Sequence, residues 1–153
     1  MTPVILLEAL KVKTETALKC LSLPVKDGDR RPPKVYLMQL PSKKAEETQV
    51  PYVVLQFVTG KDQDPKGEPA YSDCKIRIIA ATYADDAGVG ALDVLNVLTR
   101  LRIELLKSGV VADQFLLLKP LEYIVYPYNT GFYHLGEMMT TWEIPSIERE
   151  VNF

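Results

Sequence analysis

The segment between Asp85 and Gly109 constrains the fold most, because it predicts a long helix that is apolar on nearly every side. Asp85 or Asp86 can cap its start, and Lys107 and Gly109 are residue types that favour a helix end. A helix that covers a sheet with one face has a broad polar side. This helix has only a narrow polar stripe, so we expect it to be covered from more than one direction.

Three sets of positions define the faces of this helix. Its main apolar face consists of Ala91, Val94, Leu95, Leu98, Leu101 and Leu105. Apolar character extends further round the cylinder at Leu92, Val97, Ile103 and Leu106. The polar stripe consists of Asp93, Asn96, Arg100, Glu104 and Lys107. We expect the main face to pack on a sheet and the further apolar positions to meet a second surface.

The other predicted elements place this helix in an α+β fold. A first helix begins at Pro3 with Thr2 as its cap, and it ends at Leu23-Pro24 because the residue before proline avoids the helical region. Strand patterns occupy 35–40, 52–58, 73–83, 115–126 with an interruption at Pro120, and 137–144. We predict a mixed, mainly antiparallel sheet with two helices packed on it, in the order α-β-β-β-α-β-β.

Length and charge limit the domain organisation and the partners. The 153 residues fit a single domain, 1–153, with an extended loop at 59–72 and a C-terminal tail at 145–153. A net charge of −2 gives no long-range attraction for nucleic acid or anionic lipid. No signal-peptide pattern and no apolar run of about 20 residues is present, so we expect a cytoplasmic origin and no membrane partner.

The residue types that carry chemistry are sparse. His134 is the one histidine, it lies in a predicted loop, and we expect a surface position for it. Cys20 and Cys74 fit no zinc spacing, and we expect two buried thiols in a reducing compartment, with a disulfide between them as the alternative. We therefore predict no catalytic, cofactor-binding or metal-ligating residues, and a protein that is not an enzyme.

Three short stretches resemble ligand sites, but in each the residues favour another interpretation. Asp62 to Asp73 has acidic residues at calcium-loop spacing, but Lys66 stands where an oxygen ligand belongs. Gly88-Val89-Gly90 opens a helix as dinucleotide loops do, but the third glycine is missing. The cations of 25–34 could contact phosphate, although a solvated linker is the favoured interpretation.

Aromatic residues concentrate near the C-terminal end. Six of them fall between Tyr123 and Trp142, and several lie in or beside the turn-rich stretch 126–136. Tyrosine and tryptophan are favoured at interfaces, because they offer a large rigid surface with a polar tip. An interface and a fold back onto the sheet edge are both open alternatives, and we prefer the interface.

The chain resembles the tail terminator and head–tail joining (neck) proteins of tailed bacteriophages. The resemblance rests on the order of elements, on P-Y-V-V-L-Q at 51–56 and on F-Y-H-L-G-E-M-M-T-T-W-E-I-P at 132–145. It implies a structural virion protein, assembled in the bacterial cytoplasm, whose hexameric ring caps the tail tube and ends its polymerisation. The implied partners are further copies of the chain, a tail-tube protein and a head-connector protein, with DNA passing through the lumen without specific binding. The resemblance implies no cofactor.

A ring subunit must leave apolar surface on two sides, because each head-to-tail contact uses two different patches. The candidate interface residues are Leu92, Ile103, Leu106, Tyr126, Tyr128, Phe132, Tyr133, His134, Ile147, Val151 and Phe153. A head-completion or minor tail protein is the alternative within this class. A small-ligand domain or a single-stranded nucleic-acid binder is the alternative from another class.

Overall fold

The computed structural model describes residues 2–41, 50–127, 131–148 and 150. The predicted interface residues Tyr128, Val151 and Phe153 lie outside this range. The described residues form two long helices and eight strands: α1 (Pro3–Leu18), β1 (Leu23–Pro24), β2 (Arg30–Arg31), β3 (Lys34–Leu37), β4 (Tyr52–Gln63), β5 (Tyr71–Tyr83), α2 (Ala87–Ser108), β6 (Val110–Val111), β7 (Phe115–Val125) and β8 (Tyr133–Ile144).

Six strands form one sheet in the order β3-β4-β5-β8-β7-β6, and β1 pairs with β2 in a separate ribbon. The β3–β4 pair is parallel and all the other pairs are antiparallel. Leaving aside the two-residue strands, the order along the chain is α-β-β-β-α-β-β. The predicted α+β class and the predicted order of elements are confirmed.

Both helices pack on the same face of the sheet and enclose the main core. Register places Ile76 opposite Thr140 and Cys74 opposite Trp142, so their side chains point to the helices together. The polar atoms buried here are paired: Thr140 Oγ1 donates to Ile76 O at 2.8 Å and accepts from Trp142 Nε1 at 2.8 Å. The fully buried tryptophan therefore keeps its hydrogen bond inside an otherwise apolar core.

The opposite face of the sheet is divided into an apolar and a charged part. Tyr52, Val54 and Ala81 are buried there in a second, smaller cluster. Toward the other end of β5 and β8, Arg77 lies 3.7 Å from the carboxylate of Glu137. Both faces of the predicted central strand 73–83 thus carry apolar side chains at its C-terminal end, as its sequence pattern indicates.

The first helix is shorter than predicted. It ends at Leu18, and Leu23–Pro24 instead pairs with Arg30–Arg31. Thr2 stands at the N-cap position, but its side chain makes no capping hydrogen bond. The arginines of the predicted linker stabilise this turn, since Arg30 donates to Ser22 O at 2.8 Å and Arg31 donates to Val50 O at 3.0 Å.

Three strands are longer than predicted. β4 and β5 extend to Gln63 and back to Tyr71, so only 64–70 connects them, in place of the predicted loop 59–72. Residues 115–125 form one strand, in which a register shift between Leu118 and Glu122 accommodates Pro120. β8 begins at Tyr133 and not at Glu137. In each case the additional residues have the composition of a turn, and backbone pairing with a neighbouring strand keeps them in the strand.

Candidate interaction surface

Helix α2 has three faces. Asp86 caps its start by accepting a hydrogen bond from the Val89 N–H at 3.1 Å, and Gly109 ends it at a φ of 69°. The face toward the sheet consists of Gly90, Val94, Val97, Leu98, Leu101 and Leu105, all buried. The polar stripe lies on the side of α1, where Glu104 is 3.7 Å from Lys13. The third face is apolar and is directed away from the core.

This third face is the outer stripe, defined by Leu92, Leu95, Thr99, Ile103 and Leu106. Leu92 is 61% exposed, Ile103 is 54% exposed and Leu95 is 38% exposed, while Thr99 and Leu106 are half-buried. The sequence predicts a second apolar side on this helix, and the structure leaves that side uncovered within one chain. Two residues lie on a different face from the one predicted: Val97 is in the core, and Leu95, predicted for the main face, is on the outer stripe.

The free edge of β7 is a second apolar surface, which the sequence pattern does not indicate. β6 pairs with β7 only at Phe115 and Leu116, and no further strand of the described chain continues along that edge. Tyr123 is 42% exposed and Ile124 is 51% exposed. Edge strands are commonly protected by lysine, proline or a bulge. Lys119, Pro120 and the register shift supply such protection, but 121–125 (LEYIV) lies beyond them.

The aromatic segment divides into packed and exposed residues. Phe132 is half exposed, yet its ring meets that of Tyr83 edge to face, with centroids 5.9 Å apart. Tyr83 also contacts Tyr133, again at 5.9 Å, and both Tyr133 and Tyr126 are half-buried. The rings of Tyr133 and Phe132 therefore pack against Tyr83 of the sheet, as one of the two alternatives predicts, while an interface role for the exposed side of Phe132 stays a prediction. Ile147, in the tail, is almost fully exposed.

His134 is not a surface residue, and this prediction was wrong. It lies on β8, is buried, and its Nε2 is 3.3 Å from the carbonyl oxygen of Ala84. Gly90 of α2 lies directly against the ring, because a Cβ at this position would collide with the imidazole. The early start of β8 explains the error, since strand alternation from Tyr133 turns His134 toward the helices. His134 therefore belongs to the core and not to an interface.

The two cysteines differ in environment. Both are free thiols, Cys74 buried and Cys20 exposed, so the expected burial holds for one of them and the alternative disulfide is not formed. Burial, and secondarily the nearby Asp73, raises the pKa of the Cys74 thiol to about 11. Its thiolate, the reactive form, is therefore suppressed at neutral pH.

Burial also raises the pKa of two groups near the start of α2. Burial raises the pKa of the Asp93 carboxyl, while Arg30 and His134 act in the opposite direction. Burial also raises the pKa of the Tyr83 hydroxyl, which donates to the Asp85 carboxylate over 3.4 Å. Each group is on or beside the N-terminal end of α2, but together they do not form a nucleophile with a positioned base.

The stretch 62–73, which resembles a calcium loop, has a structural role. Asp62, the first residue of the calcium-like spacing, accepts a 2.6 Å hydrogen bond from Ser72 across the β4–β5 pair. Within the described ranges, no group of three or more His, Cys, Asp or Glu side chains is placed to hold a metal ion. None of the described helices is long and apolar enough to cross a membrane.

Comparison with known proteins adds no assignment. No protein-family model matches the chain, and no curated protein matches it significantly. The exposed apolar surfaces described above therefore carry the functional interpretation.

Proposed function

We propose that the protein is a structural virion protein of a tailed bacteriophage, whose ring caps the tail tube and presents a surface for joining the head. The single observation that carries this proposal is the presence of separate apolar surfaces on one chain. The outer stripe of α2 and the free edge of β7 both leave large aliphatic side chains in solvent. A protein that acts alone seldom leaves such surfaces uncovered.

The shape of these surfaces favours large partners. Small-molecule sites are concave and enclose most of the ligand. A helix face and a strand edge are convex or flat, and they suit another polypeptide. The aromatic residues do not favour a single-stranded nucleic-acid binder either, because Phe132 and Tyr133 both pack against Tyr83 and the net charge is −2.

A head-to-tail ring needs one contact in which two different surfaces meet. The β7 edge is suited to one side of such a contact, because an unpaired strand offers backbone donors and acceptors as well as apolar side chains. The remaining partners, a tail-tube protein and a head-connector protein, would contact the two axial surfaces of the ring. A small net charge is compatible with DNA passing through its lumen without being retained.

Sedimentation velocity and electron microscopy of the purified chain test this proposal, alone and with the tail-tube protein encoded by the same genome. We expect annular particles whose mass is a multiple of 17.2 kDa. Ile124→Glu on the β7 edge should shift the distribution to smaller species, whereas Val58→Glu, at an exposed aliphatic site on β4, should not. A chain that stays monomeric at every concentration and never binds the tail-tube protein would contradict the proposal.

A further inference from the structure

The outer stripe of α2 is symmetric about its centre. Leu92 and Leu95 stand seven and four residues before Thr99, and Ile103 and Leu106 stand four and seven residues after it. At about 100° per residue, all five fall within one sector of the helix surface, and Thr99 is in the middle of that sector. Two such stripes in antiparallel orientation would place Leu92 opposite Leu106 and Leu95 opposite Ile103.

The charges around the stripe are polarised along the helix. Asp85, Asp86 and Asp93 are at the N-terminal end of α2. Arg102 and Lys107 are in the C-terminal half, and Arg100 stands beside the centre, one residue after Thr99. The one acidic residue in this C-terminal half, Glu104, is paired with Lys13 of α1. Two copies placed antiparallel would bring the acidic end of each helix to the basic end of the other, and the two helix dipoles would also oppose each other favourably.

We infer that the outer stripe binds the same stripe of a second copy, as an antiparallel helix pair with its two-fold axis at Thr99. The patch is self-complementary both in its side chains and in its charges, which is the requirement for a two-fold contact. Thr99 is small enough to let the two helices approach at the crossing point. The inference does not depend on the ring, because a two-fold contact pairs two chains whether or not either belongs to one.

The size of the stripe indicates the strength of the pairing. From Leu92 to Leu106 the helix is about 22 Å long, at 1.5 Å per residue. One helix of this length covers less than the roughly 800 Å² per partner that a stable interface buries. We therefore expect a weak, concentration-dependent dimer for a single pair, and a much stronger association where several pairs form between two assemblies.

Cysteine cross-linking in a Cys20→Ser background tests the geometry. Thr99→Cys should form a disulfide-linked dimer on mild oxidation, because the two copies of position 99 meet on the axis. Leu92→Cys or Leu106→Cys alone should give little dimer, and a mixture of the two should cross-link to each other. A short bis-maleimide reagent provides a second measurement that is less strict about sulfur geometry.

The outcomes separate this inference from the ring. Annular particles without any Thr99→Cys dimer would overturn the inference and leave the ring intact. A Thr99→Cys dimer in a chain that never forms rings would support the inference and contradict the proposed function. Cross-linking of Leu92→Cys to itself and not to Leu106→Cys would indicate a parallel pair and would also overturn the inference. Arg100→Cys, one position away but on the polar stripe, is the matched control and should give little product.

Discussion

The contact between Gly90 and His134 makes a quantitative prediction, because the three atoms nearest to a Cβ at Gly90 all belong to the imidazole ring. Gly90→Ala adds one methyl group at the point where α2 meets β8. Overpacking of this kind costs about 1–3 kcal/mol. The same substitution in a helix interior otherwise gains about 1 kcal/mol, because alanine has the higher helix propensity. We expect the collision to dominate, because the ring is buried and close to the Ala84 carbonyl.

Thermal or urea unfolding measures this effect. The net loss is up to about 2 kcal/mol, so at about 2–4 °C per kcal/mol for a chain of this size the melting temperature of Gly90→Ala should fall by up to roughly 8 °C. Gly88→Ala is the matched control in the first turn, since the one atom near its added Cβ is a carboxylate oxygen of the exposed Asp86 side chain. Its stability should change much less.

A double-mutant cycle tests the physical reason. His134→Ala is itself destabilising, but it removes the three atoms that lie nearest to the new methyl group. In that background Gly90→Ala should stabilise by up to about 1 kcal/mol, so the coupling between the two sites should equal the collision cost of about 1–3 kcal/mol. If Gly90→Ala destabilises equally in both backgrounds, the cost does not come from the imidazole and the reasoning is refuted.

Two further predictions concern the start of α2 and the cysteines. Asp86→Ala should lower the free energy of unfolding by about 1 kcal/mol, because it removes the acceptor for the Val89 N–H, whereas Asp85→Ala should have a smaller effect; equal losses in urea titrations would contradict the assigned cap. A thiol reagent at pH 8 should label Cys20 rapidly and Cys74 only after unfolding, because burial raises the pKa of Cys74 to about 11. Rapid labelling of both thiols in the folded protein would refute the assignment. Since the pKa of Cys74 is higher in the folded than in the unfolded state, the buried protonated thiol should contribute to stability at pH 8, and this contribution should decrease as the pH rises toward 11.

The sequence was most informative where one element contains all of its own signals. The long helix has its cap residue, its apolar periodicity and its terminal glycine within a single segment, and it was placed correctly from Asp86 to Gly109. The order of the main elements also followed from local patterns. These features depend on short-range interactions, which a sequence displays directly.

The sequence was least informative where structure depends on a neighbour. Residues 59–63 and 133–136 are strands because adjacent strands pair with them, although their composition suggests turns. The environment of His134 follows from this pairing and could not be seen locally. The division of α2 into a buried and an exposed apolar side is also non-local, because Leu95 and Val97 have similar hydrophobicity and only the position of the sheet distinguishes them.

The position of the polar stripe on α2 explains why the exposed apolar side is a distinct surface and not an extension of the core. Asn96, Arg100 and Lys107 are exposed on this stripe, while Glu104 joins it to α1 through Lys13. On that side, charged groups separate the core face from the outer stripe. An apolar face beyond a charged boundary contributes little to the packing of its own chain, since Leu92 and Ile103 stay more than half exposed. Such a face lowers the free energy only when another surface covers it, which is why we assign it to association and not to folding.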